Sequence, residues 1–147
     1  MSDTKSVVRS VDGWLRIRPG EQCLIRVPTA ETGGIYSVVE IISDPGDATP
    51  LHVHRNEDEY FVILEGVARN CVRRSGDGCK AWRRHHVAKA TPSCVGQPLG
   101  SPAPLLRSNR FPGGVQEAMR VIAAGGVKDL PALAESFGVT VLGPAPF

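Results

Sequence analysis

Residues 46–66 read GDATPLHVHRNEDEYFVILEG. Two histidines stand one residue apart, a run of acids follows, and an apolar, strand-like stretch closes on a glycine. In an extended chain the side chains at i and i+2 point the same way, so His52 and His54 can aim both imidazoles at one point beside the strand. Glu59, beyond a turn and on the return strand, is placed to close a third side. Two neutral imidazoles and a carboxylate bind a divalent first-row metal and leave positions open for water, substrate or dioxygen. Glu57 is the alternative carboxylate. A solvated loop is the competing reading of HVHRNEDE, because charged runs are usually exposed. Alternation in EYFVILEG sets Glu59, Phe61 and Ile63 on one face and Tyr60, Val62 and Leu64 on the other. We read it as a strand buried on both sides that ends at the Glu65–Gly66 turn.

Upstream, the short alternating bursts WLRIR, CLIRV and YSVVEII are each closed by turn formers: Pro19–Gly20, Thr32–Gly34 and the DPGD of residues 44–47. Short strands with frequent turns predict an all-β sandwich or barrel. Downstream, VQEAMRVIAA predicts a helix with Val115, Met119 and Ile122 on one face. A second helix follows, with Asp129 as N-cap, Leu130, Leu133 and Phe137 as its apolar stripe, and Gly138 as its stop. Both helices are read as packing elements, and VTVLGPAPF as a short extended tail.

The complete spacing adds a resemblance. Gly46, five residues, His52, one, His54, four, Glu59, six, Gly66 matches the first motif of the cupin family position for position. The chain resembles a small single-domain cupin of the quercetin-dioxygenase-like kind, in TGGIYSVVE and GVTVLGPAPF as well as in the motif. That resemblance implies a cupin-type jelly-roll β-barrel with short C-terminal helices. It implies His52, His54 and Glu59 as ligands of a divalent transition metal (Fe, Mn, Ni, Co or Zn). It also implies a mononuclear-metal dioxygenase or related enzyme acting on a small organic substrate, or else a non-catalytic metal- or small-molecule-binding module. Similar cupins are commonly dimers, so a homodimer is expected. Neutral imidazoles are needed for coordination, so metal affinity should fall below about pH 6. No catalytic residue beyond the ligands can be named.

One region departs from this pattern. The second cupin motif, whose histidine completes the metal shell, has no counterpart, and His85 and His86 in AWRRHHVAKA lack the Pro-x-Gly turn that should precede it. From Gly66 to Val115 there are nine Lys or Arg and one acid, Asp77, whereas the remainder holds eight bases and fourteen acids. Clustered bases with Trp82 are an electrostatic footprint of nucleic-acid binding. Yet a barrel needs alternating apolar residues here, and almost none are present, so the segment conflicts with its own fold. A one-nucleotide displacement of the reading frame from about Asn70 to about Arg110 accounts for the conflict. Shifted by one base, codons for PSCVGQ (residues 92–97) permit Pro, His, Ala, Trp, Gly and Asn, which resembles the end of the second motif with its histidine at position 93. The same shift over Asn70–Arg73 permits Ile, Val, Tyr and Gly. On this reading the barrel lacks two or three properly patterned strands and the metal its fourth ligand, an inactive product lacking the second motif is a further alternative, and no nucleic-acid partner is expected.

At 147 residues the chain is expected to be one domain: strands over 14–66, the basic segment over 70–110, and a helical tail over about 114–138. The polar opening MSDTKSVVRS has no signal-peptide pattern, and the longest apolar run, Tyr60–Leu64, is far too short to span a bilayer. We therefore expect a cytoplasmic protein with no membrane partner. Cys23, Cys71, Cys79 and Cys94 show no paired spacing and are read as free thiols rather than zinc ligands.

Overall fold

A computed structural model describes residues 13–72, 80–82, 84–96, 105–111 and 115–146. Strands β1 (Trp14–Arg18) and β2 (Glu21–Val27) form a hairpin around Pro19–Gly20, where Gly20 takes φ +84°. That left-handed conformation suits glycine because it has no Cβ to clash. Then follow β3 (Ser37–Ser43), β4 (Leu51–His54), β5 (Asp58–Glu65), β6 (Ala68–Val72), β7 (Lys80–Trp82), β8 (Arg84–Val87), β9 (Ser93–Gly96) and β10 (Leu105–Phe111). Helices α1 (Val115–Ala124) and α2 (Leu130–Ser136) and strand β11 (Val139–Gly143) complete the chain.

The strands form two antiparallel sheets, β1-β2-β3-β10-β5-β8 and β11-β4-β9-β6-β7. Consecutive strands β4 and β5 thus lie in different sheets, and the turn between them carries Arg55–Glu57. Inner residues of the first sheet, Cys23, Ile25, Val39, Ile41 and Phe61, pack with Val87 into one core cluster. Leu51, Cys71 and Cys94 form a second, smaller one. Asp129 caps α2 as expected, its Oδ1 accepting from Ala132 N at 2.9 Å, and Gly138 follows the helix at φ +80°. Among the described residues no helix is long and apolar enough to cross a membrane.

Three expectations are corrected. Strand β5 is fully buried on one face only: Glu59 and Phe61 are buried, Tyr60 and Val62 are half-buried, and Leu64 is 40% exposed. The basic segment does carry strands, β6 to β10, and β10 sits between β3 and β5. Backbone pairing supplies their hydrogen bonds whatever side chains they bear. Finally, Cys23 and Cys94 are free thiols but Cys71 is disulfide-bonded, a proximity that sequence spacing could not reveal. The opening segment 1–12, Cys79 and residues 112–114 lie outside the described residues.

Candidate metal centre

Pro50 leads the chain into β4, where the two-residue repeat of an extended strand sets His52 and His54 on one face. The first residues of β5 return Glu59 to the same place from the opposite sheet. One ligand atom from each of the three lies within 4.8 Å of the others, a cluster that can hold a metal ion. His54 and Glu59 are 6% and 2% exposed, so the competing reading of a solvated loop fails for both. The two imidazoles meet edge to face, with centroids 5.0 Å apart and planes at 71°.

Each imidazole has a neighbour behind its ring. His52 Nδ1 lies 2.8 Å from the Pro50 carbonyl oxygen. A carbonyl only accepts, so Nδ1 carries the proton and Nε2 keeps its lone pair for a cation. His54 Nε2 stands 3.3 Å from Glu59 Oε2. Two donors each about 2.1 Å from one ion, subtending roughly 100°, would be about 3.2 Å apart, so the spacing suits a shared first-row ion. On the far side of the ring, His54 Nδ1 is buried without a hydrogen bond, and Glu57 Oε2 is 3.5 Å away. A cation on Nε2 requires the proton on Nδ1, and a shift of a few tenths of an ångström would bring that N–H onto Glu57.

Glu57 stands behind His54, on the Nδ1 side of the ring, whereas Glu59 faces Nε2. Its Oε1 also accepts from Val115 N, the first residue of α1, at 3.0 Å, and the side chain is 4% exposed. A carboxylate at a helix N-terminus is favoured by the unpaired N–H groups there. One buried residue thus joins a candidate ligand to a helix fifty-eight positions further along the chain.

The cluster forms part of the wall of a cavity of about 440 Å³ between the two sheets. Ile41 and Phe61 line it from one sheet, Val95 and Val139 from the other, and Val115, Ala118, Met119 and Ile122 of α1 with Ala134 of α2 complete it. The helices, expected only to pack, are thus walls of the site. Arg55 holds α2 in position: it pairs with Glu135, donates to Thr140 Oγ1 at 2.6 Å, and reaches the Glu135 carbonyl at 3.1 Å. The hydrogen bond from Thr140 and then the Arg55 guanidinium hold the Glu135 carboxyl below its ordinary value.

His85 and His86 belong to β8, where His85 stands opposite Phe61, and neither joins the cluster. Burial, and then the neighbouring His86, push the His85 imidazole below its ordinary value. The position at which a displaced frame would place the missing histidine is structurally informative. Ser93 of β9 is paired directly with His52, and is 1% exposed.

No protein-family model and no curated protein matches the sequence. Solved structures do match the fold. KdgF from a Halomonas species aligns with a TM-score of 0.60 at 17% identity, over 71% of this chain and 91% of its own. The polyketide cyclase RemF from Streptomyces resistomycificus aligns with a TM-score of 0.57 at 15% identity, over 70% and 77%. An RmlC-like cupin from Shewanella frigidimarina aligns with a TM-score of 0.56 at 16% identity, over 71% and 86%.

Proposed function

This chain has the cupin jelly-roll fold, and we propose that within it His52, His54 and Glu59 hold one divalent transition metal (Fe, Mn, Ni, Co or Zn) at which a small organic substrate is turned over. The observation that carries the reading is the convergence of the three donors within 4.8 Å on the wall of a cavity large enough for such a substrate. A bound ion would supply Lewis acidity and a fixed template at that end. The protein's own part is to hold the His52 tautomer through the Pro50 carbonyl, to set His54 between Glu57 and Glu59, and to exclude bulk water with apolar walls. A mononuclear-metal dioxygenase or related enzyme fits this arrangement, and the polyketide cyclase among the structural matches is one enzyme built on the same fold. Fold alone does not assign the reaction, since function resides in the site.

Purified protein, stripped and then reloaded with each metal in turn, tests the reading. One equivalent of metal is expected to bind, and His54→Ala is expected to lose it. Full retention of metal by a His52→Ala, His54→Ala double variant would refute the assignment. A non-catalytic module is the second reading. It is favoured by Ser93, buried and paired directly with His52, which brings no imidazole to the position where a displaced frame would put the second motif's histidine. Metal-loaded protein that binds small molecules without consuming them or dioxygen would establish it.

A further inference from the structure

Where a cavity wall is itself exposed, the cavity meets solvent. Among the described lining residues Pro50, Leu130, Pro131 and Val141 are exposed, Leu130 at 49% and Val141 at 37%. Pro50 leads into β4, and Val141 of β11 is paired directly with His52, so part of this rim is the strand pair that carries the candidate ligands. The rest of it, Leu130 and Pro131, is the first turn of α2.

The attachments of α2 are few. It walls the cavity with Leu130, Pro131 and Ala134, yet none of its residues is buried, and it packs chiefly on β11. Every hydrogen bond described between α2 and the rest of the fold runs through Glu135. Its carboxylate pairs with Arg55 and accepts from Thr140 Oγ1 at 2.8 Å, and its carbonyl accepts from Arg55 at 3.1 Å. Both charged side chains are exposed, and an exposed ion pair contributes little and is weakened by salt. On the α1 side, Gly125 and Gly126 take φ +84° and +81°, and a Cβ on either would meet nothing within 4 Å. That joint is unpacked and has the widest backbone freedom. The other end is held, since Arg55 N donates to the Gly138 carbonyl at 2.9 Å.

We propose that α2 is a gate over the cavity, pivoting beside Gly138 with Gly125 and Gly126 as the free joint, and that the Arg55–Glu135 clasp sets how often it opens. Segments with few buried contacts are the ones that open locally, and such segments serve as lids. Arg55 follows His54 directly, so the turn that positions the candidate ligands also holds the gate shut. The gate governs access to both imidazoles whether or not they hold an ion.

Carbethoxylation of histidines by diethyl pyrocarbonate, followed by peptide mass spectrometry on the metal-free full chain, tests it. The reagent must enter the cavity to reach His52 and His54, whereas His86 on β8 is exposed and serves as reference. Glu135→Ala should raise the rates at His52 and His54 at least about threefold relative to His86. Raising chloride from about 0.05 M to about 0.5 M should raise them in the wild type and leave the variant unchanged, because only the wild type has a clasp to screen. The salt series needs no variant, and so decides the matter even if Glu135→Ala does not fold. Rates at His52 and His54 that fail to rise in the folded variant, or that ignore salt in the wild type, would overturn the gate. An equal rise at His85, half-buried on β8, would mean general loosening and would overturn it too. No metal is present in the assay, so either result leaves the metal assignment to its own test.

Discussion

Replacing Glu57 with glutamine probes the link between α1 and the candidate ligand His54. The carboxylate accepts from Val115 N at 3.0 Å and lies 3.5 Å from His54 Nδ1, on the side away from Glu59. Glutamine has one carbonyl oxygen, so it can serve the helix or the histidine but not both. If its amide faces Nδ1, the ring proton moves to Nε2 and blocks the atom meant for the metal. Loss of such an outer partner lowers metal affinity about 10–100-fold, or ~1.4–2.7 kcal/mol. A charged, buried hydrogen bond to the helix also becomes a neutral one, at ~1–2 kcal/mol of stability, which for a chain of this size lowers Tm by ~2–8 °C. Chelator-competition titration of cobalt against wild type, Glu57→Gln and His54→Ala, with thermal melts of each, reads both effects. The variant should fall between the other two proteins. An affinity within about twofold of wild type, together with a lowered Tm, would refute the reasoning and leave Glu57 as a helix anchor only.

Ser93→His should raise metal affinity by about tenfold or more, because directly paired antiparallel residues have Cβ atoms about 5 Å apart on one face, and Ser93 is paired with His52. An unchanged chelator titration would contradict this. His85 has a depressed folded pKa, so the unfolded chain binds more protons and stability should fall as pH drops below about 6.5. Urea melts across that range should show a shallower slope in His85→Gln, and identical slopes would contradict the assignment. Gly138→Ala should cost ~1–2 kcal/mol, since φ is +80° and a Cβ there would meet Asn56 Nδ2 at 2.5 Å. Asn56→Ala in the same chain should recover the steric part, and an unaltered denaturation midpoint for Gly138→Ala alone would contradict the strain.

What could be read beforehand follows the reach of each physical rule. Strand periodicity is local, so the convergence of His52 and His54 was legible from two letters, and Glu59 from the spacing to the next glycine. The Asp129 cap was legible for the same reason, since its partner is Ala132, three residues on. The role of Glu57 was not, because it depends on the start of α1 reaching the turn between β4 and β5. Nor was the part of Met119 and Ile122 as cavity walls: an apolar helical stripe reads the same whether it meets a core or a cavity. The central segment is the instructive case. Its backbone pairs into both sheets, yet Asn70 is 4% exposed with both side-chain amide atoms lacking a hydrogen bond. An orphaned buried polar group costs ~1–3 kcal/mol, and the displaced frame permits isoleucine there. Sequencing the gene across residues 70–110 tests that proposal, and a single frame that yields the present letters without a nearby insertion or deletion would end it.

Anomalous diffraction from cobalt-loaded crystals tests the central claim most directly. One peak is predicted, about 2.1 Å from His52 Nε2, His54 Nε2 and a Glu59 carboxylate oxygen. A peak bound elsewhere, or imidazoles at 52 and 54 turned toward bulk solvent, would contradict the account.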